Sequence, residues 1–495
     1  MHNALRIPEI VHLVVSELNT EGRELVALAR TCTRFQNIAL DALWRKQTNV
    51  VNLIRCMPED LWETVDVVGI PTLKPRRSTV AADWDRVSVY AHRIRFLICR
   101  DPYNPTYLGP ELIHVYETLR KGLPGRRILP NLNCLWWHHF PAAYAPFVSL
   151  FLGPQITSIN VGPQADSDCA MLSALGQSYP DLVFVVIKGG ETFLEDPQLG
   201  QLYTVVRSLT RVEYLDVEDR LDSETLRHLG LLTSLRTLHI RLPPLLAFPG
   251  IADGSLFSDL CVASVSGKIS ASIALLRTWN NPPVQTFTAS LSVPPGMQHV
   301  EDLYRALAAH CMHDHLEVLH VGMFLTDLTQ THAGNFFRPL FSFTHLTILR
   351  MYVPGGYDLD DTIISDLSHA WPNIRELVFE SYSEHRPRCT LLGLYFLSQR
   401  CPSLRILEIT LDASNVPPLP ANVTEHILQD SLISFNVAFS PISEASSVAQ
   451  FLSSIFSKLV AVSGCPDWRE VEVGQGHYER WKNVDQILRA RRTEV

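Results

Sequence analysis

One short pattern keeps returning along this chain: an apolar residue, two variable residues, leucine, one variable residue, another apolar residue. It reads Leu235-x-x-Leu238-x-Ile240, Leu316-x-x-Leu319-x-Val321, Leu346-x-x-Leu349-x-Met351, Ile374-x-x-Leu377-x-Phe379 and Leu404-x-x-Leu407-x-Ile409. The last three copies begin 28 and 30 residues apart. Self-similarity at such a period implies stacked supersecondary units, none able to bury its apolar face alone. Chains of this kind offer a broad recognition surface rather than a catalytic pocket.

Strand signals run from about residue 94 onward. Ile94 to Ile98 gives the first; others begin at Leu132, Ile156, Leu182, Val212, Leu235, Val284, Leu316, Leu346, Ile374, Leu404 and Leu432, with a weaker one at Phe257 to Leu260. Most gaps are 23 to 32 residues, enough for a strand, a turn and a helix. The stretch before several strands repeats too: Tyr179-Pro180-Asp181-Leu182, Trp371-Pro372-Asn373-Ile374, Cys401-Pro402-Ser403-Leu404 and Cys465-Pro466-Asp467-Trp468. A buried aromatic or cysteine ends the helix, proline prevents its continuation, and the next residues launch the strand. A last strand at Val471 to Val473 and a helix around Trp481 to Leu488 are expected to close the array. These units resemble leucine-rich repeats of the irregular, cysteine-containing kind, without the asparagine that many such repeats carry after the strand.

Residues 5 to 47 read differently. Ile7, Ile10, Val14 and Leu18 recur at helical spacing; Leu25, Leu28, Cys32 and Phe35 give a second series, and Leu40, Leu43 and Trp44 a third. Pro8 suits a first helical turn, where a missing N–H costs nothing. Ile7-Pro8-Glu9-Ile10, Leu18, Leu25, Leu28, Thr31-Cys32, Phe35, Ala39 and Leu43-Trp44 fall in the order of an F-box, which this segment resembles. The opening is one residue shorter between the proline and the acidic position than in many members. Further on, Cys56-Met57-Pro58-Glu59-Asp60-Leu61-Trp62, Asp83-Trp84-Asp85-Arg86 and Tyr90-Ala91-His92-Arg93-Ile94 are similar to a large family of F-box/leucine-rich proteins of basidiomycete fungi. Between these markers, Met57 to Trp62 predicts a turn feeding a short helix, Pro71 to Ser78 an exposed loop, and Trp84 to His92 a helix.

The resemblance implies an α/β fold: a three-helix F-box at 1–48, a helical or irregular connector at 49–93, an irregular leucine-rich solenoid with a curved, mostly parallel sheet at 94–475, and a capping helix and tail at 476–495. It implies a substrate-recognition subunit of a cullin–RING ubiquitin ligase, not itself an enzyme. The partners would be a Skp-type adaptor, through it cullin, and a target protein. Pro8, Ile10, Val14, Leu18, Leu25, Leu28 and Trp44 would be divided between the adaptor contact and the module's own core, with Trp44 the natural anchor. The target would lie on the outward face of the strands, where alternation places Tyr214, Asp216, Glu218, His239, Arg241, His320, Arg350, Tyr352, Glu376 and Glu380. A scaffold acting outside any ligase is the alternative, and an enzyme with a site assembled across repeats a more distant one.

Composition narrows the classes. A formal charge of −9 over 495 residues argues against a general nucleic-acid binder. Ten cysteines without C-x-x-C spacing, no signal-peptide core and no membrane-length apolar run predict an intracellular protein with reduced thiols and no membrane partner. Asn422-Val423-Thr424 is then a chance match to a glycosylation acceptor. No cofactor or metal is expected: His310-Cys311-Met312-His313-Asp314-His315 sits where Cys401-Pro402 sits in another unit, and Cys134 with His138 and His139 lies beside packing tryptophans. Gly267-Lys268 and Gly189-Gly190 lack the rest of a phosphate loop. Asp358, Asp360 and Asp361 suit the start of a helix.

Overall fold

A computed structural model describes residues 7–18, 22–67, 70–99, 113–122, 127–137, 142–162, 175, 179, 181–188, 196–293, 298–325, 331–353, 355–380, 386–418, 429–464 and 476–493. The chain divides into two compact units, Met1–Leu221 and Asp222–Val495.

The first unit opens with helices α1 (Pro8–Glu17), α2 (Gly22–Ala29) and α3 (Thr33–Arg45), with proline in the first turn of α1. Val11, Val15, Leu25 and Phe35 form their shared core, with Leu18, Leu28, Cys32 and Ile38 packed against it. α3 then runs directly into strand β1 (Lys46–Gln47). The next elements are α4 (Val51–Ile54), β2 (Trp62–Val67), β3 (Ile70–Pro75), α5 (Asp85–Ala91) and β4 (Phe96–Cys99). They are followed by α6 (Ile113–Gly122), β5 (Cys134–Trp137), β6 (Ser158–Val161), β7 (Phe184–Ile187), α7 (Asp196–Ser208) and β8 (Tyr214–Arg220).

β1, β4, β5, β6, β7 and β8 pair in that order, every pair parallel. The ladder begins at Lys46, inside the segment read from sequence as helical. β2 and β3 instead form a separate antiparallel hairpin. This corrects the expected loop at Pro71 to Ser78: Val65-Asp66-Val67 alternates apolar and polar after the strand-favouring Trp62 and Thr64, and prolines are tolerated in a two-stranded hairpin because its edges need no further donors. Arg77, expected to be exposed, is tied down. Its Nη atoms donate to both oxygens of buried Asp83 at 2.7 and 2.8 Å, and its Nε donates to Asp60 at 2.8 Å. The Arg77 guanidinium holds the Asp83 carboxyl below the usual carboxylate range.

The second unit contains α8 (Ser223–Gly230), β9 (Thr237–Arg241), β10 (Val262–Lys268), α9 (Ile269–Arg277), β11 (Thr286–Val293), α10 (Gln298–His310) and β12 (Val318–Leu325). Next come β13 (His332–Ala333), β14 (Ile348–Tyr352), β15 (Tyr357–Asp358), α11 (Asp361–Ala370), β16 (Glu376–Glu380) and α12 (Leu391–Arg400). It closes with β17 (Ile406–Glu408), β18 (Ser434–Asn436), α13 (Ala445–Ile455), β19 (Ala461–Ser463) and α14 (His477–Thr493). Nine of these strands form one parallel ladder in chain order; β13 and β15 make a small parallel pair of their own.

Strands in both units start two residues after the apolar residue that announces them, as at Leu235, Leu316 and Leu404. The pre-strand turn explains the offset. Cys401 N–H still bonds the helical carbonyl of Leu397, and Leu404 N–H turns back to Cys401 O. Trp371 and Ile374 repeat this geometry, and Phe343 and Phe456 occupy the same buried place without a following proline. One residue before each strand, a backbone rung links neighbouring units: Arg405 N to Arg375 O, Arg375 N to Thr347 O, Thr347 N to Glu317 O. The inward leucines Leu319, Leu349, Leu377 and Leu407 share one register and are fully buried.

Two strand expectations shift. The weak signal at Phe257 to Leu260 is a turn with Phe257 at φ 57°, and the strand follows at Val262. β19 was not expected, and the strand proposed at Val471 to Val473 lies outside the described residues, as does Cys465-Pro466-Asp467-Trp468. In the last described strand Val462 N–H donates to the Asp485 carboxylate of α14 at 3.0 Å, and Trp481 Nε1 donates to Ser440 O at 2.8 Å. α14 therefore satisfies groups that a further strand would otherwise meet.

Within the second unit, Gln429 joins neighbouring strand–helix repeats through side-chain bonds. Fully buried, it donates Nε2 to Leu404 O at 2.7 Å and accepts from Leu432 N at 2.9 Å. Gln429→Met keeps the shape but leaves both backbone groups unpaired. Urea unfolding should show a loss of about 2–3 kcal/mol.

Candidate functional site

The sequence-derived adaptor residues separate once their burial is known. Leu25 is 2% exposed inside the three-helix core and offers no outer surface. Leu18 and Leu28 are half-buried against the same core, and Ile10 is half-buried on α1. Val14 alone is plainly outward, at 42% exposure. Trp44 gives one ring face to Tyr90, stacked at 4.6 Å and 23°. Pro8 occupies the first turn of α1.

Leu13 on α1, at 67%, and Val26 on α2, at 42%, are further exposed apolar side chains that the sequence reading did not select. That reading left Ile10, Val14 and Leu18 to be divided between contact and core; Val11 and Val15, which it did not name, are the α1 residues most deeply buried. The usable signal was that Leu13, Ile10, Val14, Val11 and Val15 spread over more than half the circumference of α1, wider than one buried face requires. Arg93 braces the module. It pairs with Asp41 of α3 and donates to Asn37 O at 3.3 Å and Asn37 Oδ1 at 3.1 Å.

The expected target-facing residues fall by strand alternation. In the first unit, Tyr214 stacks on Phe184 at 4.3 Å, Asp216 accepts from Lys188 Nζ at 2.8 Å, and Glu218 is exposed. Asp216 is nearly buried, which makes that ion pair part of the sheet surface rather than a free charge.

In the second unit, His239, His320 and Arg350 share one register row, and Arg241, Tyr352 and Glu380 the next. Glu376 stands one row earlier and accepts from Arg350 Nε at 3.0 Å. Those two side chains are exposed enough that the pair contributes under about 1 kcal/mol. Sequence reading missed Phe324, 57% exposed and 6.0 Å from the Tyr352 ring, and Glu408, which shares the Arg350 row through Val378. Alternation from Val321 and Met323 would have found Phe324. Burial raises the Glu408 carboxyl above its ordinary range, and the neighbouring Glu380 charge adds to that.

Comparison with models of protein families gives no match, and comparison with curated proteins gives none either. The chain's chemistry is therefore argued from its own side chains.

Other clusters prove to have local duties. Among the described residues no three His, Cys, Asp or Glu side chains gather as a metal ion would require. Cys311 is buried at a helix end, where burial pushes its thiol up; His313 Nε2 lies 2.7 Å from Ala308 O, and His315 Nδ1 2.7 Å from Asp314. His138, His139 and Gly189-Gly190 lie outside the described residues. Asp360 caps α11 by accepting from Ile363 N at 3.0 Å, and Asp361 accepts from Thr390 N at 2.8 Å and Gly393 N at 3.0 Å in the next unit. Among the described residues no helix is long and apolar enough to cross a membrane.

His320 reports the electrostatics of the outward row. Burial lowers its pKa, the Arg350 guanidinium lowers it further, and Glu376 opposes both. The unfolded imidazole gains its proton near pH 6.5, the folded one only below that. The folded state therefore loses stability as pH falls through that window. NMR titration should give a His320 midpoint below about 6.5. Arg350→Gln should move it part of the way back up, and Glu376→Gln further down.

Proposed function

We propose that this chain is the target-recruiting subunit of a cullin–RING ubiquitin ligase, an F-box/leucine-rich-repeat receptor. Its N-terminal helices would dock a Skp-type adaptor, and through it cullin, while the outward strand face of the second unit would hold a target protein. The observation that carries the reading is the set of exposed apolar side chains on α1 and α2. Leu13, Val14 and Val26 are exposed on a module whose core is already filled by Val11, Val15, Leu25 and Phe35. A small bundle gains nothing from leaving such side chains in water, so their use lies in association.

The order of parts supports the same reading. Three short helices precede a parallel α/β array of strands and helices, with the inward leucines buried and outward residues such as Glu218, Phe324 and Arg350 open to contact. Target binding would use Arg350, Tyr352, Phe324 and Glu380, where aromatic and guanidinium groups lie beside acidic ones. This chain would supply proximity and orientation, with bond-making left to other subunits. Placement would be intracellular, in cytoplasm or nucleus.

An adaptor interface of this class buries on the order of 1,200–2,000 Å². The triple variant Leu13→Asp, Val14→Asp and Val26→Asp should lower adaptor co-purification at least tenfold while leaving thermal unfolding of the second unit unchanged. Equal recovery of a Skp-type adaptor with the variant, or none with the wild-type chain, would favour a scaffold acting outside any ligase.

A further inference from the structure

The outward face of the first unit's sheet is built unlike that of the second. Phe96, Ile98, Trp136 and Phe184 stand on it, where, among the described residues, the corresponding rows of the second unit carry no Phe, Tyr or Trp and mix aliphatic residues such as Val318 and Ile348 with Thr288, His320, Arg350 and Glu376. Against this floor lies the C-terminal half of α3, and between them runs a trough with two arms. One arm, about 690 Å³, is lined by Leu43 and those four residues, with Lys46 at its rim. The other, about 1050 Å³, is lined by His12, Arg45, His92, Arg93 and Arg95. Ala42, Arg45, Phe96, Cys134 and Ser158 line both, so the arms are continuous.

The polar arm is cationic in a chain whose overall charge is −9. Asp41 is the carboxylate that lines it, and Arg93 already holds it. Arg45 lies over the Phe96 ring at 5.6 Å, and Arg95 donates to Asn131 O at 3.1 Å. Among the described residues neither guanidinium has a carboxylate partner. An excess of positive charge beside an apolar floor requires a ligand with both properties in the same order.

We propose that this trough binds an extended acidic peptide, seating an aromatic or large aliphatic side chain on Phe96, Trp136 and Phe184 and its carboxylates against Arg45 and Arg95. Single-stranded nucleic acid fits less well. It asks for rings and cations interleaved along the whole groove, whereas Trp136 and Phe184 line only the first arm, Arg93 and Arg95 only the second, and ring and cation alternate only where Arg45 meets Phe96. The site is independent of the adaptor reading, because Leu13, Val14 and Val26 do not line it.

The test is fluorescence anisotropy of the full chain with a labelled octapeptide carrying Phe-Leu near one end and three acidic residues near the other. Binding should weaken at least tenfold when lysines replace the acids, when serines replace Phe-Leu, and in the Arg45→Glu, Arg95→Glu double variant. Both substituted side chains are exposed, so the variant should keep its circular dichroism and its adaptor co-purification. The proposal is overturned if the acidic octapeptide does not bind, if the double variant binds it unchanged, or if the lysine peptide or a ten-nucleotide oligothymidine binds as tightly. Loss of adaptor binding in the Leu13, Val14, Val26 variant with peptide binding intact would leave this site standing by itself.

Discussion

A parallel strand in this protein is only two to eight residues long and is held by its neighbours. Its backbone groups must be met sideways, by the strand before and the strand after, and its inward side chain must be covered by the next helix. The pre-strand rung and the buried leucine column satisfy both needs with one register, so that each unit is the template for the next. Where the described array ends, side chains do the same work: Asp485 takes the Val462 N–H, and Trp481 covers Phe435. Ahead of β18, Gln429 adds bonds of the same kind from its side chain, to Leu404 O and from Leu432 N.

That dependence explains what could be read from the sequence. A buried leucine column imposes a pattern, and Leu346, Ile374 and Leu404 announce their strands directly. β10 was nearly hidden because Ala263 and Val265 stand where leucine stands elsewhere, and the signal was sought a turn too early. β1 is two residues long and has no pattern to show; only its partner β4 makes it a strand. The β2–β3 hairpin was obscured by its prolines, which suggest a loop unless both edges are free.

The surfaces were less legible than the fold, for a physical reason. Alternation tells which side chains leave the sheet, and Tyr214, Arg350 and Glu376 were placed outward by that rule. It does not tell what meets them. Asp216 is occupied by Lys188, Trp44 by Tyr90 and Arg93 by Asp41, pairings between residues 28 to 52 positions apart that no local pattern encodes. The apolar floor of the first unit escaped notice because Phe96, Trp136 and Phe184 read as ordinary strand residues until the register aligned them.

α3 and β1 share no intervening residue: Arg45 closes the helix, its carbonyl accepts from Arg95 N at 2.9 Å, and Lys46 opens the strand. The bundle is thus spliced to the first rung without slack. A tethered module sweeps a volume set by its leash, and its local concentration near any fixed point falls with leash length. A spliced one has a single bearing. Whatever clasps α1 and α2 inherits that bearing relative to strands β4 to β6, and lengthening the junction by a few flexible residues would exchange a set direction for a wandering one.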